Sequence, residues 1–358
     1  MKIVLAALYL LACAAASAAE SPQLNRALNE RIVFIRHGVG VELETTVFKP
    51  DGPGPFALAI INHGKEFGDA RFQPRARYIV AARELVRRGY VVAIPMRAGF
   101  SKSSGRYIPS ACNIAANARQ QAAYVRSALD HMVQQPYVDR TRIIVIGQSH
   151  GGLTAMAAST EPYEGVRGVI NFAGGLRVQE CFDWTNQLVA AFREIGRGAK
   201  YPSLWFYGDN DSYFEIDLAK RMHEAFSASG GQAQLVAYGV FKTDSHRTFS
   251  DRDGLKIWWP EAERFLKALG MPTEVLPRST SEDPELAALA DTSKIPPRCS
   301  GSYNLFLDAD YPRAFAVSPD GRCGYAWGGE DPKKRALEFC QRNAKEPCRL
   351  YAVDNAKL

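Results

Sequence analysis

Histidine is scarce in this chain, 6 among 358 residues, and no C-x-x-C or H-x-x-x-H cluster groups cysteines or histidines as zinc frameworks do. No metal and no cofactor is therefore expected. Neither sign of charge dominates: 44 Lys and Arg against 38 Asp and Glu leave a net charge of +6. Arg71, Arg75, Arg77, Arg83, Arg87 and Arg88 crowd one stretch, but apolar positions are mixed with them and no nucleic-acid motif accompanies them. A solvated helix face is the reading there, and no nucleic-acid partner is expected. Beyond the first twenty residues no apolar run is long enough to span a bilayer, and there is no internal repeat. What remains is an ordinary globular composition, 46% hydrophobic and 23% charged. The length suits one large domain with an appendage.

The N-terminal residues read as a targeting segment. Lys2 supplies a short basic region, Ile3 to Ala12 an apolar one, and Ala16-Ser17-Ala18-Ala19 the small residues of a cleavage site. Residues 1–19 are thus expected to be a signal peptide, with the mature chain periplasmic or secreted. Leu10-Leu11-Ala12-Cys13 matches a lipobox poorly, because leucine precedes the small residue, so lipidation at Cys13 is not expected. Without Cys13 six cysteines remain, an even number that suits disulfides in an oxidising compartment. Six cysteines allow fifteen pairings. Their distribution favours Cys112 with Cys181, the two in the large domain, and then Cys340 with Cys348; Cys299 and Cys323 are the others.

Along the chain, Arg31–Ile35 and Val41–Phe48 flank Gly38-Val39-Gly40 as an opening hairpin. Apolar strands then alternate with helices: Phe56–Asn62, a helix over Pro74–Arg88, Tyr90–Ile94, a helix over Asn113–Gln135, Arg142–Ile146, a helix over Gly151–Ser159, and Val166–Phe172. Leu204–Tyr207, a helix over Glu215–Ser229, Gln234–Tyr238 and a closing helix over Leu255–Leu269 follow. Strands apolar throughout and separated by helices imply a mostly parallel sheet of eight strands, covered on both faces. The expected boundaries are a large α/β domain over 28–271, a Pro-punctuated linker over 272–297 and a small cysteine-containing α+β domain over 298–358.

One motif in this frame carries chemistry. Gly147-Gln148-Ser149-His150-Gly151 follows an apolar strand and precedes a helix, the context in which G-x-S-x-G forms a tight turn that lifts the serine hydroxyl out of the sheet edge. A serine needs an adjacent base, and the base an orienting carboxylate, in the chain order Ser, Asp or Glu, His. His246 is the only histidine after the last strand, so it is the expected base. For the acid, Gly208-Asp209-Asn210-Asp211 follows the preceding strand. Asp211, past the turn, is favoured over Asp209, and Asp244 is a third option local to the histidine. The oxyanion would be held by two backbone N–H groups: that of His150, at the start of a helix, and one after Asn62-His63-Gly64, assigned to Lys65. His63-Gly64 as a plain tight turn is the alternative. Phe182 and Trp184 are apolar candidates for a pocket lining, since ligand sites are mostly apolar; core packing is an equal alternative for both.

Asn62-His63-Gly64, Pro95-Met96-Arg97-Ala98-Gly99-Phe100-Ser101, Gly147 to Gly152, Gly208-Asp209-Asn210-Asp211 and Asp244-Ser245-His246 resemble, in that order, the α/β-hydrolase superfamily. The similarity covers about residues 30–270 and is strongest to the dienelactone hydrolase and serine esterase branch, which neighbours the prolyl-oligopeptidase catalytic domain. It implies the α/β-hydrolase fold and a small-molecule ester substrate. The chain departs from that family in carrying Ser149 where dienelactone hydrolases usually carry cysteine, which shifts the expected substrate from dienelactone to a carboxylic ester. The tail, with Gly321-Arg322-Cys323-Gly324 and Cys348-Arg349-Leu350, resembles small cysteine-containing domains of secreted bacterial proteins, a likeness that implies no chemistry. A secreted serine peptidase and a non-catalytic binding protein are the alternatives to an esterase. No oligomeric state follows from the sequence.

Overall fold

The computed structural model describes residues 24–276, 288–289, 291–307, 309, 312–328 and 331–358. The expected signal peptide and most of the Pro-punctuated linker lie outside the described residues. The hairpin forms as expected: β1 (Arg31–His37) pairs antiparallel with β2 (Val41–Phe48), which pairs antiparallel with β4 (Tyr90–Pro95). From β4 onward the sheet is parallel, through β3 (Phe56–Asn62), β5 (Val138–Gln148), β6 (Val166–Phe172), β7 (Ser203–Tyr207) and β8 (Ala233–Ala237). The order is β1-β2-β4-β3-β5-β6-β7-β8.

Every residue of β4 and all but the first of β3 are buried, because helices cover both faces, as parallel sheets require. One layer holds α1 (Ile79–Val86) and α6 (Leu255–Ala268), packed through Leu85, Trp258 and Leu266 onto Ile61, Ile144 and Phe206. The other holds α2 (Ile114–Met132), α3 (His150–Ala158), α4 (Trp184–Gly198) and α5 (Ile216–Ser227), packed onto Leu58, Val145 and Trp205. Because the sheet is parallel, the C-terminal ends of β3 to β8 lie along one edge, and the loops that leave that edge carry every candidate catalytic residue.

The expected helix over Pro74–Arg88 begins only at Ile79. Arg75 and Arg77 do not sit on a solvated helix face; both turn inward to Glu30, whose side chain is fully buried just before β1. Arg75 also donates to Thr46 Oγ1 at 2.6 Å, and Tyr78, at φ 42°, turns the chain into the helix. An ion pair formed with a residue 45 positions away overrides the local amphipathic pattern.

The C-terminal residues form a second, antiparallel sheet of β9 (Arg313–Val317), β10 (Cys323–Trp327), β11 (Arg349–Val353) and β12 (Ala356–Lys357), in the order β10-β9-β11-β12. Strict alternation along β9 divides its faces. Phe315 and Val317 pack with Tyr303 and Phe306 of α7 (Ser300–Leu307), while Ala314 and Ala316 pack under α8 (Pro332–Gln341). Gly324 lets α8 close onto the sheet, since a Cβ there would lie 2.3 Å from the Cys340 nitrogen. Disulfides join Cys112 to Cys181, Cys299 to Cys323 and Cys340 to Cys348, so both expected pairings form and the remaining two cysteines make the third. Arg252, in the loop before α6, places its guanidinium 5.2 Å from the Trp327 ring of the small sheet.

Burial pushes the Glu30 carboxyl up, but hydrogen bonds from Arg77, the Asn25 N–H and Arg75 outweigh it and hold it below its ordinary value. A carboxyl lowered on folding stabilises above its unfolded pKa, and that stability is lost as pH falls through the folded value. Glu30→Gln should therefore cost about 3–5 kcal/mol near neutral pH, and the difference in Tm from wild type should shrink as the pH is taken below about 4. Equal denaturant midpoints at neutral pH would remove Glu30 from the account of stability.

Candidate active site

The turn between β5 and α3 is a single residue long. Ser149 sits at φ 57°, ψ −126°, a strained conformation for a residue with a Cβ, and it persists because both neighbours hold it. Its N–H donates to the Phe172 carbonyl of β6 at 2.9 Å, and its carbonyl accepts from Gly175 at 3.0 Å. The chain can reverse this sharply only where side chains are missing. A Cβ at Gly147 would lie 2.0 Å from the Gly151 oxygen, and one at Gly151 would lie 2.0 Å from the Asn62 oxygen. Gly64 runs beside the turn, its Cβ position 3.3 Å from Ser149 Cβ.

Asp211 and His246 meet on the loops after β7 and β8. His246 Nδ1 lies 3.0 Å from both carboxylate oxygens of Asp211. The acid is 5% exposed, and its Oδ1 also accepts the N–H groups of Tyr213 and Phe214, each at 2.9 Å. With a carboxylate on Nδ1, that nitrogen carries the proton and the lone pair is left on Nε2. Asp209 is exposed and holds the loop only through its backbone N–H, which donates to Gly239 O. Asp244 shapes the loop instead of orienting the imidazole. Its Oδ1 accepts the N–H of His246 at 2.9 Å, and its two oxygens accept the N–H and hydroxyl of Ser212. Asn210 bonds across the same gap, donating to Lys242 O and accepting from Phe241 N–H. The residues on either side of Asp211 thus stitch the acid loop to the histidine loop. Gln148 Nε2 donates to the His246 carbonyl at 2.6 Å, which ties that loop to the residue before Ser149.

His150 lies at the first position of α3, where its N–H has no intrahelical acceptor. Its imidazole is buried behind the turn: Nε2 lies 2.7 Å from Asn117 Oδ1, and Nδ1 lies 3.3 Å from the Arg97 guanidinium. Burial first, and then the Arg97 charge, hold its pKa well below that of a free histidine; the same causes act on His63. Both rings are neutral supports. The Lys65 side chain reaches over the Tyr107 ring at 5.6 Å, and burial lowers its pKa against the pull of Glu180 and Glu66.

The structure separates the two aromatic candidates. Phe182 points into solvent, 105% exposed, whereas Trp184 packs edge-on to Phe214 and under Arg177. Two other rings flank the histidine. Tyr213 lies over His246 at 4.5 Å between ring centroids, and Phe67, 66% exposed, stacks on Tyr213 at 5.6 Å. Nothing in their local sequence singles them out; only the closeness of two loops makes them neighbours of His246. A cavity of about 520 Å³, lined in part by Ala157, Ala158, Tyr163 and Tyr201, opens at the other end of α3 and includes none of the candidate residues. Among the described residues no cluster of three metal-ligating side chains occurs, and no helix is long and apolar enough to cross a membrane.

An eight-stranded sheet of this order, with a serine on the one-residue turn after β5 and a His–Asp pair on the last loops, defines the α/β-hydrolase class. The chain belongs to the dienelactone hydrolase family, whose profile matches residues 70–255. Among solved structures it is similar to the Est1E protein of Butyrivibrio proteoclasticus, solved with ferulic acid bound. That match has 17% identity and a TM-score of 0.50, and covers 66% of this chain and 99% of that one. It is also similar to the acylaminoacyl peptidase of Pyrococcus horikoshii, with 12% identity and a TM-score of 0.52 over 66% of this chain. Dipeptidyl peptidase 4 of Porphyromonas gingivalis gives 15% identity and a TM-score of 0.50 over 67%. The matches span only 41% and 35% of those two peptidases, and at such identities they show the shared fold. No curated protein matches the chain.

Gly151→Ala should be among the most damaging single methyl additions in the molecule. The obstructing Asn62 oxygen belongs to β3 backbone and cannot swing away, so a loss above about 4 kcal/mol is expected. Soluble yield and Tm measure it, and a wild-type Tm would show that the turn relaxes freely.

Proposed function

We propose that this chain is an exported serine hydrolase that cleaves carboxylic esters through an acyl-enzyme. The observation that supports this most is the Asp211–His246 pair, fastened by Gln148 to the turn that carries Ser149. His246 Nε2 takes the Ser149 proton as the oxygen attacks the ester carbonyl. The carbonyl oxygen becomes an oxyanion, received by the N–H groups of His150 and Lys65. Collapse of this adduct breaks the bond to the alcohol, which leaves with the proton from His246. Water then repeats the sequence, releasing the carboxylic acid and restoring Ser149. Asp211 holds the imidazole in the tautomer required and offsets its charge when protonated.

Membership of the dienelactone hydrolase family supports hydrolysis of a small molecule. Serine in place of the usual cysteine favours an ordinary ester over dienelactone. Three disulfides fit an oxidising compartment, which agrees with residues 1–19 as an export signal.

Short-chain p-nitrophenyl esters test the reading. Ser149→Ala should lower kcat by about 10⁴-fold or more, and Asp211→Asn by about 10⁴-fold through loss of the correct tautomer. Asp209→Asn should stay near wild type. Equal turnover by wild type and Ser149→Ala would end the serine assignment, and faster cleavage of aminoacyl p-nitroanilides than of esters would make the protein a peptidase.

A further inference from the structure

Arg97, in the loop after β4, is 0% exposed, yet among the described residues no carboxylate pairs with it. Its neighbours are neutral. One guanidinium nitrogen donates to the His63 carbonyl at 2.6 Å. The other lies 3.4 Å from the Gly64 carbonyl and 3.3 Å from His150 Nδ1. Its Nε has no partner, and its own N–H donates to His63 Nε2 at 3.1 Å. Burial draws its pKa down to about 10, so the cation persists at neutral pH. The guanidinium also lies over the Phe100 ring at 5.2 Å, but a buried charge without a counter-ion is costly.

The bonds around it converge on one peptide. With Nε2 accepting from Arg97, His63 Nδ1 carries the proton and donates to the Gly64 carbonyl at 2.7 Å. Gln73 Nε2 donates to the same oxygen at 3.2 Å, and Tyr78 Oη accepts the Gly64 N–H at 3.3 Å. Three donors thus pull the Gly64 oxygen inward. The peptide is planar and trans, so the Lys65 N–H must point the opposite way, out of the loop whose Gly64 lies against Ser149. Among the described residues that N–H has no acceptor.

We propose that Arg97 is the positioning residue of the oxyanion loop: it pins the Gly64 carbonyl so that the Lys65 N–H faces the reacting oxygen, and its charge lacks a carboxylate because the negative charge it answers forms only during the reaction. This rests on Ser149 as nucleophile. Preorganised charge of this kind acts on the transition state and not on the bound ester.

Arg97→Gln should lower kcat about 100-fold with little change in KM. Affinity for phenylboronic acid, which forms an anionic tetrahedral adduct on a serine, should fall by a similar factor. Arg97→Lys, which keeps the charge but cannot span both carbonyls, should fall between Gln and wild type. A folded Arg97→Gln protein with wild-type kcat and boronate affinity, or one changed in KM alone, overturns the assignment. If the Arg97 variants do not fold, Gln73→Leu decides: removing one donor to the same oxygen at a partly exposed site should lower kcat several-fold at constant KM, and an unchanged kcat overturns the proposal. Ser149→Ala run alongside separates the two readings. A fully active Ser149→Ala condemns the serine mechanism, whereas an inactive one beside a fully active Arg97→Gln condemns only the role of Arg97.

Discussion

The rest of the molecule is arranged around the passage from β5 to α3 through one strained residue. A strand and a helix can meet with only Ser149 between them if their backbones nearly touch, and here they do at Gly147, Gly151 and Gly152. The helix then starts hard against the end of β3, where the carbonyls of Asn62 and of the next residue, His63, fill the space a side chain on Gly151 would need. That contact brings the β3 loop beside the serine. The β6 carbonyl of Phe172 holds the Ser149 N–H, so three parallel strands fix one side chain. The strain at Ser149 is offset by the burial of the sheet on both sides of it.

The histidine reaches this point by a different route. Its loop has little regular structure, only the short 3₁₀ turn Ser245–Arg247, and is placed by polar stitches. Asn210, Ser212 and Asp244 join it to the acid loop, Tyr238 Oη donates to the Ser245 carbonyl, and Gln148 joins it to β5. Asp244 shows why a carboxylate two residues from a histidine need not be the one that contacts its imidazole: its acceptors are occupied in shaping the loop. Behind the serine, His63, His150, Arg97 and Asn117 form a buried polar layer in which the only formal charge is the guanidinium. Low dielectric strengthens each of these bonds and makes the arrangement rigid.

The cysteine bridges act at the margins of this core. Cys112–Cys181 joins the segment entering α2 to the segment entering α4, across a sequence separation of 69 that contains the serine turn. The other two bridges brace a sheet too small to rely on its core alone, whose two hydrophobic clusters are built largely from alanines and a few aromatic rings.

Much of this was readable in the order of residues. The strands that are apolar throughout, the glycines bracketing Ser149, and the chain order of Ser149, Asp211 and His246 each follow from local chemistry. Parallel strands must be apolar on both faces, a one-residue turn tolerates no side chain two positions to either side of the serine, at Gly147 and Gly151, and a histidine after the last strand can reach only one edge. Tertiary structure decided what depends on distant partners. Asp211 differs from Asp209 in being buried against His246, and Arg75 and Arg77 leave a helical pattern because Glu30 lies inside. Phe182 is exposed while Tyr213 covers His246. Arg97, unremarkable in its motif, becomes a buried cation under the Gly64 carbonyl. Local pattern records which conformations a segment can adopt and which face is apolar. Whether a charge is buried, and what lies opposite it, is set by contacts between segments that the pattern does not encode.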